Sequence, residues 1–161
     1  MPQIAPEQRL PADVDAQPPV QAALALRPAL RAHRDEIERE QRLPKALVES
    51  FHAAGFYNLV IPRTLGGLQA DPLTSVRVIE LLAEGAGAAG WNLANHSICQ
   101  LITLGLTDDG VQELYVDGPD TVIAGTAVMG GGQAVPVDGG YRVTGRWPFG
   151  TGRSTRSTTC P

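Results

Sequence analysis

The spacing of apolar residues predicts helices along the first two thirds of the chain. From Val20 to Arg39 the apolar residues recur at mainly helical spacing, and charged residues form a solvated face. Pro44 stands where a first helical position tolerates proline, and an apolar stripe then runs to Gly55, a natural left-handed helix end. Two amphipathic helices are therefore predicted. Their apolar positions are Ala23, Leu26, Leu30 and Ile37 in the first, and Leu47, Val48, Phe51 and Ala54 in the second.

Three further helices are predicted after a short apolar run, Phe56–Ile61, which indicates a buried loop. The first of the three has Asp71 or Thr74 as its cap. Before the second, the glycines and alanines of residues 85–90 carry almost no side-chain volume, so another backbone or a ligand can approach closely. Five helices in all are typical of a compact helical domain. The three later helices are expected at Leu73 to Glu84, Trp91 to Leu106, and Asp108 to Val116.

After Gly118 and Pro119 the pattern changes from helical to extended. Strands are predicted from Thr121 to Val128 and from Gln133 to Val137, separated by a triple glycine at 130–132. Asp138-Gly139-Gly140 is a hairpin signal, and the residues after it alternate as a strand with one buried face would. The sequence thus predicts an α+β fold, an all-α N-terminal domain followed by the first strands of an incomplete sheet.

Composition and charge narrow the classes of partner. The hydrophobic fraction of 43% supports a real core, whereas the net charge of -4, the pI near 5.3 and the lack of a Lys/Arg run disfavour nucleic acid and membrane surfaces. Cys99 and Cys160 lie far apart in the sequence, so neither a disulfide framework nor a metal cluster is indicated. A reducing cytoplasm is the expected location.

The two ends of the chain differ from the rest in pattern. Residues 1–19 are proline-rich, lack the features of a signal peptide, and are expected to be a disordered leader. Residues 153–161 show no apolar alternation, and one permitted back-translation of residues 152–160 gives family-like sequence in another frame, so this tail is hypothesised to be frameshifted. The helical domain is then expected at residues 20–118 and the start of the β domain at residues 119–152.

Several short motifs, in their order and spacing, make residues 24–152 similar to the acyl-CoA dehydrogenase superfamily. The family has an N-terminal helical domain, a middle β domain and a C-terminal four-helix bundle, with the flavin between the last two. The resemblance implies that residues 119–152 open a β-barrel-like, flavin-binding middle domain and that the chain stops before the bundle. The motifs are Leu43-Pro44 with Leu47-Val48, Gly55-Phe56-Tyr57 before Val60-Ile61-Pro62, Leu65-Gly66-Gly67, and Gly139-Gly140-Tyr141-Arg142-Val143 with Gly145-Arg146-Trp147.

Two details resemble the two-component flavin monooxygenases within that superfamily. One is Ala88-Ala89-Gly90-Trp91, and the other is the segment from Trp147 to Gly152, in which Thr151 matches the hydroxyl residue beside the flavin's central ring. The resemblance implies that Thr151 hydrogen-bonds the flavin N5 region and that Thr126 is the hydroxyl of the upstream strand. The implied cofactor is FAD or FMN in its reduced form, and the implied cofactor-binding residues are Thr126, Trp147, Phe149, Thr151 and Gly152.

Two residues of the helix after the small-residue run are candidates for contact with a substrate. His96 is a candidate base near a phenolic hydroxyl, and a satisfied structural histidine is the alternative. Trp91 is a candidate substrate-binding residue, and a core anchor is the alternative. No metal ligands are assigned.

Three functions remain open on the sequence. The first is a fragment of a monooxygenase that takes reduced flavin from a separate flavin reductase and hydroxylates a small aromatic or heteroaromatic substrate, inactive alone. The second is an acyl-CoA dehydrogenase that oxidises the Cα–Cβ bond of an acyl-CoA thioester, and the third is a non-catalytic helical interaction module. For the full-length relative the resemblance implies a homotetramer.

Overall fold

In the computed structural model, residues 13–125, 130–147 and 150–151 are described. This part of the chain forms six α-helices followed by one antiparallel β-hairpin, which confirms the α+β fold class and its order. None of the described helices is long and apolar enough to cross a membrane. The helices are α1 (Pro18–Ala32), α2 (Arg34–Glu40), α3 (Lys45–Ala53), α4 (Pro72–Gly85), α5 (Gly87–Thr103) and α6 (Asp108–Leu114), and the strands are β1 (Gly132–Val137) and β2 (Gly140–Gly145).

The first predicted helix is two helices in the structure, which is a correction. The chain leaves helical geometry at His33, where φ is -99° and ψ is 7°. The Ala29 carbonyl accepts two hydrogen bonds from His33, one from its Nδ1–H at 2.8 Å and one from its backbone N–H. The turn lets the Arg34 guanidinium donate to the Gly85 carbonyl at 2.8 Å. Arg34 therefore satisfies a free carbonyl at the end of α4, a partner that local spacing does not reveal.

The start of α1 differs slightly from the expected domain boundary. Helix α1 begins at Pro18, with a second proline beside it at the helix start, where a missing N–H costs no hydrogen bond. Residues 18 and 19 thus belong to the helix and not to the leader. Residues 1–12 and the hypothesised frameshifted tail lie outside the described residues.

Helix α3 and the segment after it follow the sequence prediction. Gly55 ends this region in the left-handed conformation, with φ at 69°. Phe56, Tyr57, Leu59 and Ile61 are fully buried, which confirms the buried loop segment. Phe56 sits edge-on to Phe51 with ring centroids 5.3 Å apart. This aromatic contact anchors the loop against α3.

One core holds the helical part together. Helix α4 packs between α1 and α5, and the Phe56–Asn58 turn packs against α3 and α5. Burial of these apolar side chains is the main stabilising contribution, because each one removes a large area from water. The largest fully buried apolar members are Leu30, Phe51, Phe56, Tyr57, Leu59, Ile61, Leu81, Leu82 and Leu93.

Helix α4 has the cap that the sequence suggested. The Asp71 carboxylate accepts hydrogen bonds from the backbone N–H groups of Leu73 and Thr74, both at 3.0 Å. The Thr74 hydroxyl donates to the same carboxylate at 2.6 Å. Asp71 is therefore the cap residue, and Thr74 supports it from inside the helix.

The glycine- and alanine-rich run is part of a helix, not a segment before one. Helix α5 begins at Gly87, and only Ala86 separates it from α4. A Cβ on Gly90 would lie 2.5 Å from the Ala83 Cβ and 2.9 Å from its Cα. The close approach expected at this run is therefore an approach of the α4 backbone.

The hairpin has its turn where the sequence predicted it, but its strands lack the predicted buried face. Gly139 has a φ of 80°, and the register runs from Gly132 opposite Gly145 to Val137 opposite Gly140. The side chains alternate, yet every residue of both strands is exposed within the described part of the chain. The prediction of one buried face is therefore wrong here, because two strands alone have nothing to pack against. In the predicted strand from Thr121, residues 121–124 are irregular, and residues 126–129 lie outside the described ranges.

Replacing Gly90 with alanine should destabilise the helical part by about 1–3 kcal/mol, because the added methyl would press on the α4 backbone. Gly87→Ala is the matched control, since a Cβ there meets nothing within 4 Å. We expect the control to lie within about 1 kcal/mol of the parent chain. Urea unfolding followed by far-UV circular dichroism measures both, and equal midpoints for the two variants would contradict the assigned contact.

Candidate functional site

Trp147 covers a glycine platform at the open end of the hairpin. A Cβ on Gly132 would lie 2.2 Å from the Trp147 Cζ2, and one on Gly145 would lie 2.6 Å from Cη2. The indole therefore occupies the space where side chains of this strand pair would stand. It keeps 45% of its surface exposed. One face of the ring is fixed by backbone, and the remainder is free to contact another group.

The triple glycine has a defined structural use. Gly130 adopts a φ of 80°, and a Cβ on Gly131 would lie 2.9 Å from the Trp147 Cδ1. The Gly131 carbonyl also accepts a hydrogen bond from the Arg146 N–H at 2.8 Å. Gly131 and Gly132 are thus required by the Trp147 ring and by the strand end.

Thr151 lies beside the segment that joins the helices to the strands. It forms an isolated antiparallel bridge with Gly125. A Cβ on Gly125 would lie 2.7 Å from the Cys99 Sγ, so helix α5 passes directly beneath this bridge. The geometry therefore brings Thr151, Gly125 and α5 together. Thr126, Phe149 and Gly152, the other implied flavin contacts, lie outside the described residues.

His96 is buried in α5, with 3% of its surface exposed. Its Nε2 lies 2.9 Å from the Tyr57 carbonyl oxygen. Its Nδ1 lies 3.2 Å from the Ile123 carbonyl oxygen and 3.3 Å from the Ile123 backbone nitrogen. Burial lowers the pKa of His96 below its usual range, because desolvation disfavours the imidazolium form. Both ring nitrogens are therefore engaged by backbone, and a role as a base toward a ligand stays a prediction.

Trp91 lies at the surface and not in the core. Its side chain is 65% exposed within the described structure. Ile98, Leu101 and Ile102 follow on the same helix and are each more than half exposed. We call these four residues the α5 apolar face. Trp91 is thus available to contact a ligand or another part of a longer protein.

Two residues near the site were missed by the sequence reading. The Gln100 amide is buried and donates to the same Tyr57 carbonyl that His96 contacts. Burial raises the pKa of the Tyr57 hydroxyl, which has no hydrogen-bond partner among the described residues. The sequence did contain a signal for Gln100. His96 and Gln100 are four residues apart in a mostly apolar helix, so they share one face of it.

A model of the acyl-CoA dehydrogenase N-terminal domain matches residues 22–114, which is more than half of the chain. The chain therefore belongs to this family, and the resemblance read from its motifs is confirmed.

Its relatives fall within one subgroup. The chain is 35% identical over 140 residues to the flavin-dependent monooxygenase oxygenase subunit HsaA of Mycobacterium tuberculosis, covering 86% of this chain and 35% of the relative. It is 30% identical over 122 residues to indole-3-acetate monooxygenase of Pseudomonas putida, covering 76% and 31% respectively. The chain spans about a third of the length of these curated relatives.

Solved structures agree with this placement. The 3-HSA hydroxylase of Rhodococcus sp. RHA1 matches with a TM-score of 0.85 at 27% identity, covering 90% of this chain and 37% of that one. XiaF from Streptomyces, solved with FADH2 and glycerol, matches with a TM-score of 0.78 at 30% identity, covering 83% and 34%. The homologues and structural neighbours are thus flavin-dependent monooxygenases or hydroxylases.

Gly132→Ala should push the Trp147 indole off its platform, because the new methyl would overlap the ring. In a Trp91→Phe background only Trp147 emits, since the chain has two tryptophans. We expect red-shifted emission and stronger acrylamide quenching. Gly140→Ala is the control on the same hairpin, where a Cβ meets nothing within 4 Å. Unchanged emission in Gly132→Ala would show that the ring does not rest there.

Stability should decline as the pH falls below about 6.5, the ordinary pKa of an unfolded histidine. The pKa of folded His96 is lower, so below pH 6.5 the unfolded chain binds a proton that the folded chain does not. The stabilisation is complete above pH 6.5 and is lost as the pH approaches the folded pKa. Urea midpoints between pH 8 and 5 measure it. His96→Gln should flatten the profile. The same slope in His96→Gln and in the parent chain would contradict the assignment.

Proposed function

We propose that the chain is the N-terminal part of the oxygenase component of a two-component flavin-dependent monooxygenase. The observation that carries the proposal is that relatives in both comparisons, matched over 76–90% of this chain, are flavin-dependent monooxygenases or hydroxylases. The substrate class is a small aromatic or heteroaromatic molecule. A separate flavin reductase supplies the reduced FAD or FMN.

The described residues fit a flavin placed against the Thr151 bridge. Thr151 is partly exposed, and its backbone pairs with Gly125. In the proposal the Thr151 hydroxyl would hydrogen-bond the flavin N5 region, and Trp147 would close one side of the site. The remaining proposed flavin-contacting residues are Thr126, Phe149 and Gly152. When bound, reduced flavin supplies the electrons for dioxygen activation, and the protein supplies orientation and a dry surrounding.

In the proposal the substrate side is formed partly by the α5 apolar face. Trp91 offers an exposed ring on which an aromatic molecule can stack. In the family, the β domain and the bundle complete the site. A homotetramer of the full-length protein and a cytoplasmic location are part of the same proposal.

The family name itself supports a second candidate, an acyl-CoA dehydrogenase acting on an acyl-CoA thioester. The two reactions differ in what they consume, since the dehydrogenase needs an electron acceptor and the monooxygenase needs dioxygen and reduced flavin. The subgroup of the relatives favours the monooxygenase.

A chimera tests the proposal. Residues 22–151 of this chain replace the matching third of the Mycobacterium tuberculosis relative, and activity is measured with a flavin reductase and NADH on aromatic substrates, and with acyl-CoA plus a dye acceptor. We expect reductase-dependent oxygenation and no dye reduction. Thr151→Val should lower the oxygenation rate by about tenfold or more, as the loss of one positioned hydrogen-bonding group does. Thr144→Val in the same chimera is the control, since Thr144 lies on β2 and is exposed.

The chain by itself should carry no flavin after purification, because one wall of the family's flavin site lies outside it. Visible absorbance and fluorescence of the denatured supernatant measure this. Dye reduction by the chimera, or tight stoichiometric flavin with turnover in the chain alone, would overturn the proposal.

A further inference from the structure

His96 lies between two backbone segments that are far apart in the sequence. On one side its Nε2 is 2.9 Å from the Tyr57 carbonyl oxygen, and on the other its Nδ1 is 3.3 Å from the Ile123 nitrogen. The residue separations are 39 and 27 positions. A single buried side chain thus bridges helix α5, the Phe56–Asn58 turn and the segment leading to the strands.

The hydrogen-bonding groups determine the form of the ring. The Tyr57 carbonyl only accepts, so Nε2 carries the proton. The Nδ1 atom lies 3.3 Å from the Ile123 nitrogen and 3.2 Å from the Ile123 carbonyl oxygen. Because burial lowers the pKa of His96, the ring is neutral, and Nδ1 then accepts a hydrogen bond from the Ile123 N–H. The neutral Nε2–H tautomer therefore satisfies both segments.

The Tyr57 side of this arrangement is rigid. Tyr57 is fully buried, and its ring packs 5.9 Å from Phe51 and 4.6 Å from His52, measured between centroids. Gln100 donates to the same carbonyl from one turn further along α5. The fixed helical core therefore holds the imidazole, and the imidazole in turn holds Ile123.

The Ile123 side leads to the candidate flavin contact. Gly125 is two residues beyond Ile123 and pairs with Thr151 across the isolated bridge. The Cys99 sulfur lies against Gly125, where an added Cβ would be 2.7 Å from it. Two points of α5, His96 and Cys99, thus set the position of this segment.

We propose that His96 is a positioning residue, whose neutral ring fixes Ile123 to the helical core and thereby places Thr151 for the flavin. The proposal rests on the proposed function for the role of Thr151, and it assigns to His96 a backbone contact instead of a proton transfer. The titratable groups that face His96 are His52 from α3 and the Tyr57 hydroxyl from the turn. Neither carries a charge that would stabilise an imidazolium near pH 7.

Two substitutions distinguish the contact of Nδ1 with Ile123 from the contact of Nε2 with Tyr57. In His96→Asn the shorter side chain offers an amide oxygen near the former Nδ1, so the acceptor for Ile123 is kept. In His96→Gln the longer side chain reaches toward Tyr57 and the acceptor for Ile123 is lost. Ser97→Ala is the control on the same turn, since the Ser97 hydroxyl is buried without a hydrogen-bond partner among the described residues.

Amide hydrogen exchange and amide chemical shifts, measured by NMR on the flavin-free chain, test the proposal. We expect the Ile123 amide to exchange about tenfold faster in His96→Gln, the effect of losing one hydrogen bond. The Gly125 and Thr151 resonances should move in the same variant, while Val78 in α4 keeps its exchange rate. His96→Asn should restore the parent values at Ile123 and Thr151.

Three outcomes would overturn it. If the Ile123 amide exchanges at the same rate in His96→Gln and in Ser97→Ala, His96 does not hold the Ile123 N–H. Faster exchange at Ile123 with unmoved Gly125 and Thr151 resonances makes His96 a structural residue only. If the variants do not fold, a scalar coupling between the Ile123 nitrogen and Nδ1 in the parent chain supports the proposal, and an Nδ1–H tautomer refutes it. Because no measurement uses flavin, these failures are independent of the proposed activity.

Discussion

The close contact between α4 and α5 is the constraint on which the rest of the structure depends. Gly90 lies against Ala83, and Gly85 lies where a Cβ would come 2.7 Å from the Leu30 Cβ of α1. A single residue, Ala86, turns the chain between the two helices. Helices α4 and α5 therefore meet with only the Ala83 methyl between their backbones, while the Leu30 side chain of α1 fills the space beside Gly85. The direction of α5 follows from this contact.

The direction of α5 decides which groups become available for chemistry. It turns His96 and Gln100 inward toward the Tyr57 carbonyl and leaves Trp91 and its apolar neighbours outside. It also brings Cys99 against Gly125, below the bridge to Thr151. A helix usually presents one buried stripe and one polar face. Here the outer face is apolar as well, as in a helix that a longer protein covers.

Local features of the fold could be predicted from the sequence, because they depend on neighbours along the chain. The Asp71 cap, the left-handed Gly55 and the hairpin turn at Gly139 each need only a few residues. The break at His33 could not be predicted, since Arg34 finds its carbonyl partner at Gly85, 51 residues away. The glycine platform under Trp147 also escaped prediction. It requires the register of two strands, and register is not a property of either strand alone.

The position of the core residues in the sequence has a consequence for the folding of the chain during synthesis. Every residue of the main hydrophobic core lies between Val20 and Val122, before the first strand begins. A ribosome adds about 5–20 residues per second, whereas helices form in microseconds or less. The helical part can close its interior while the strands are still being made. A nascent chain of this kind gives each new strand an already folded surface to add to, which limits the time that its unpaired edges are open to other chains.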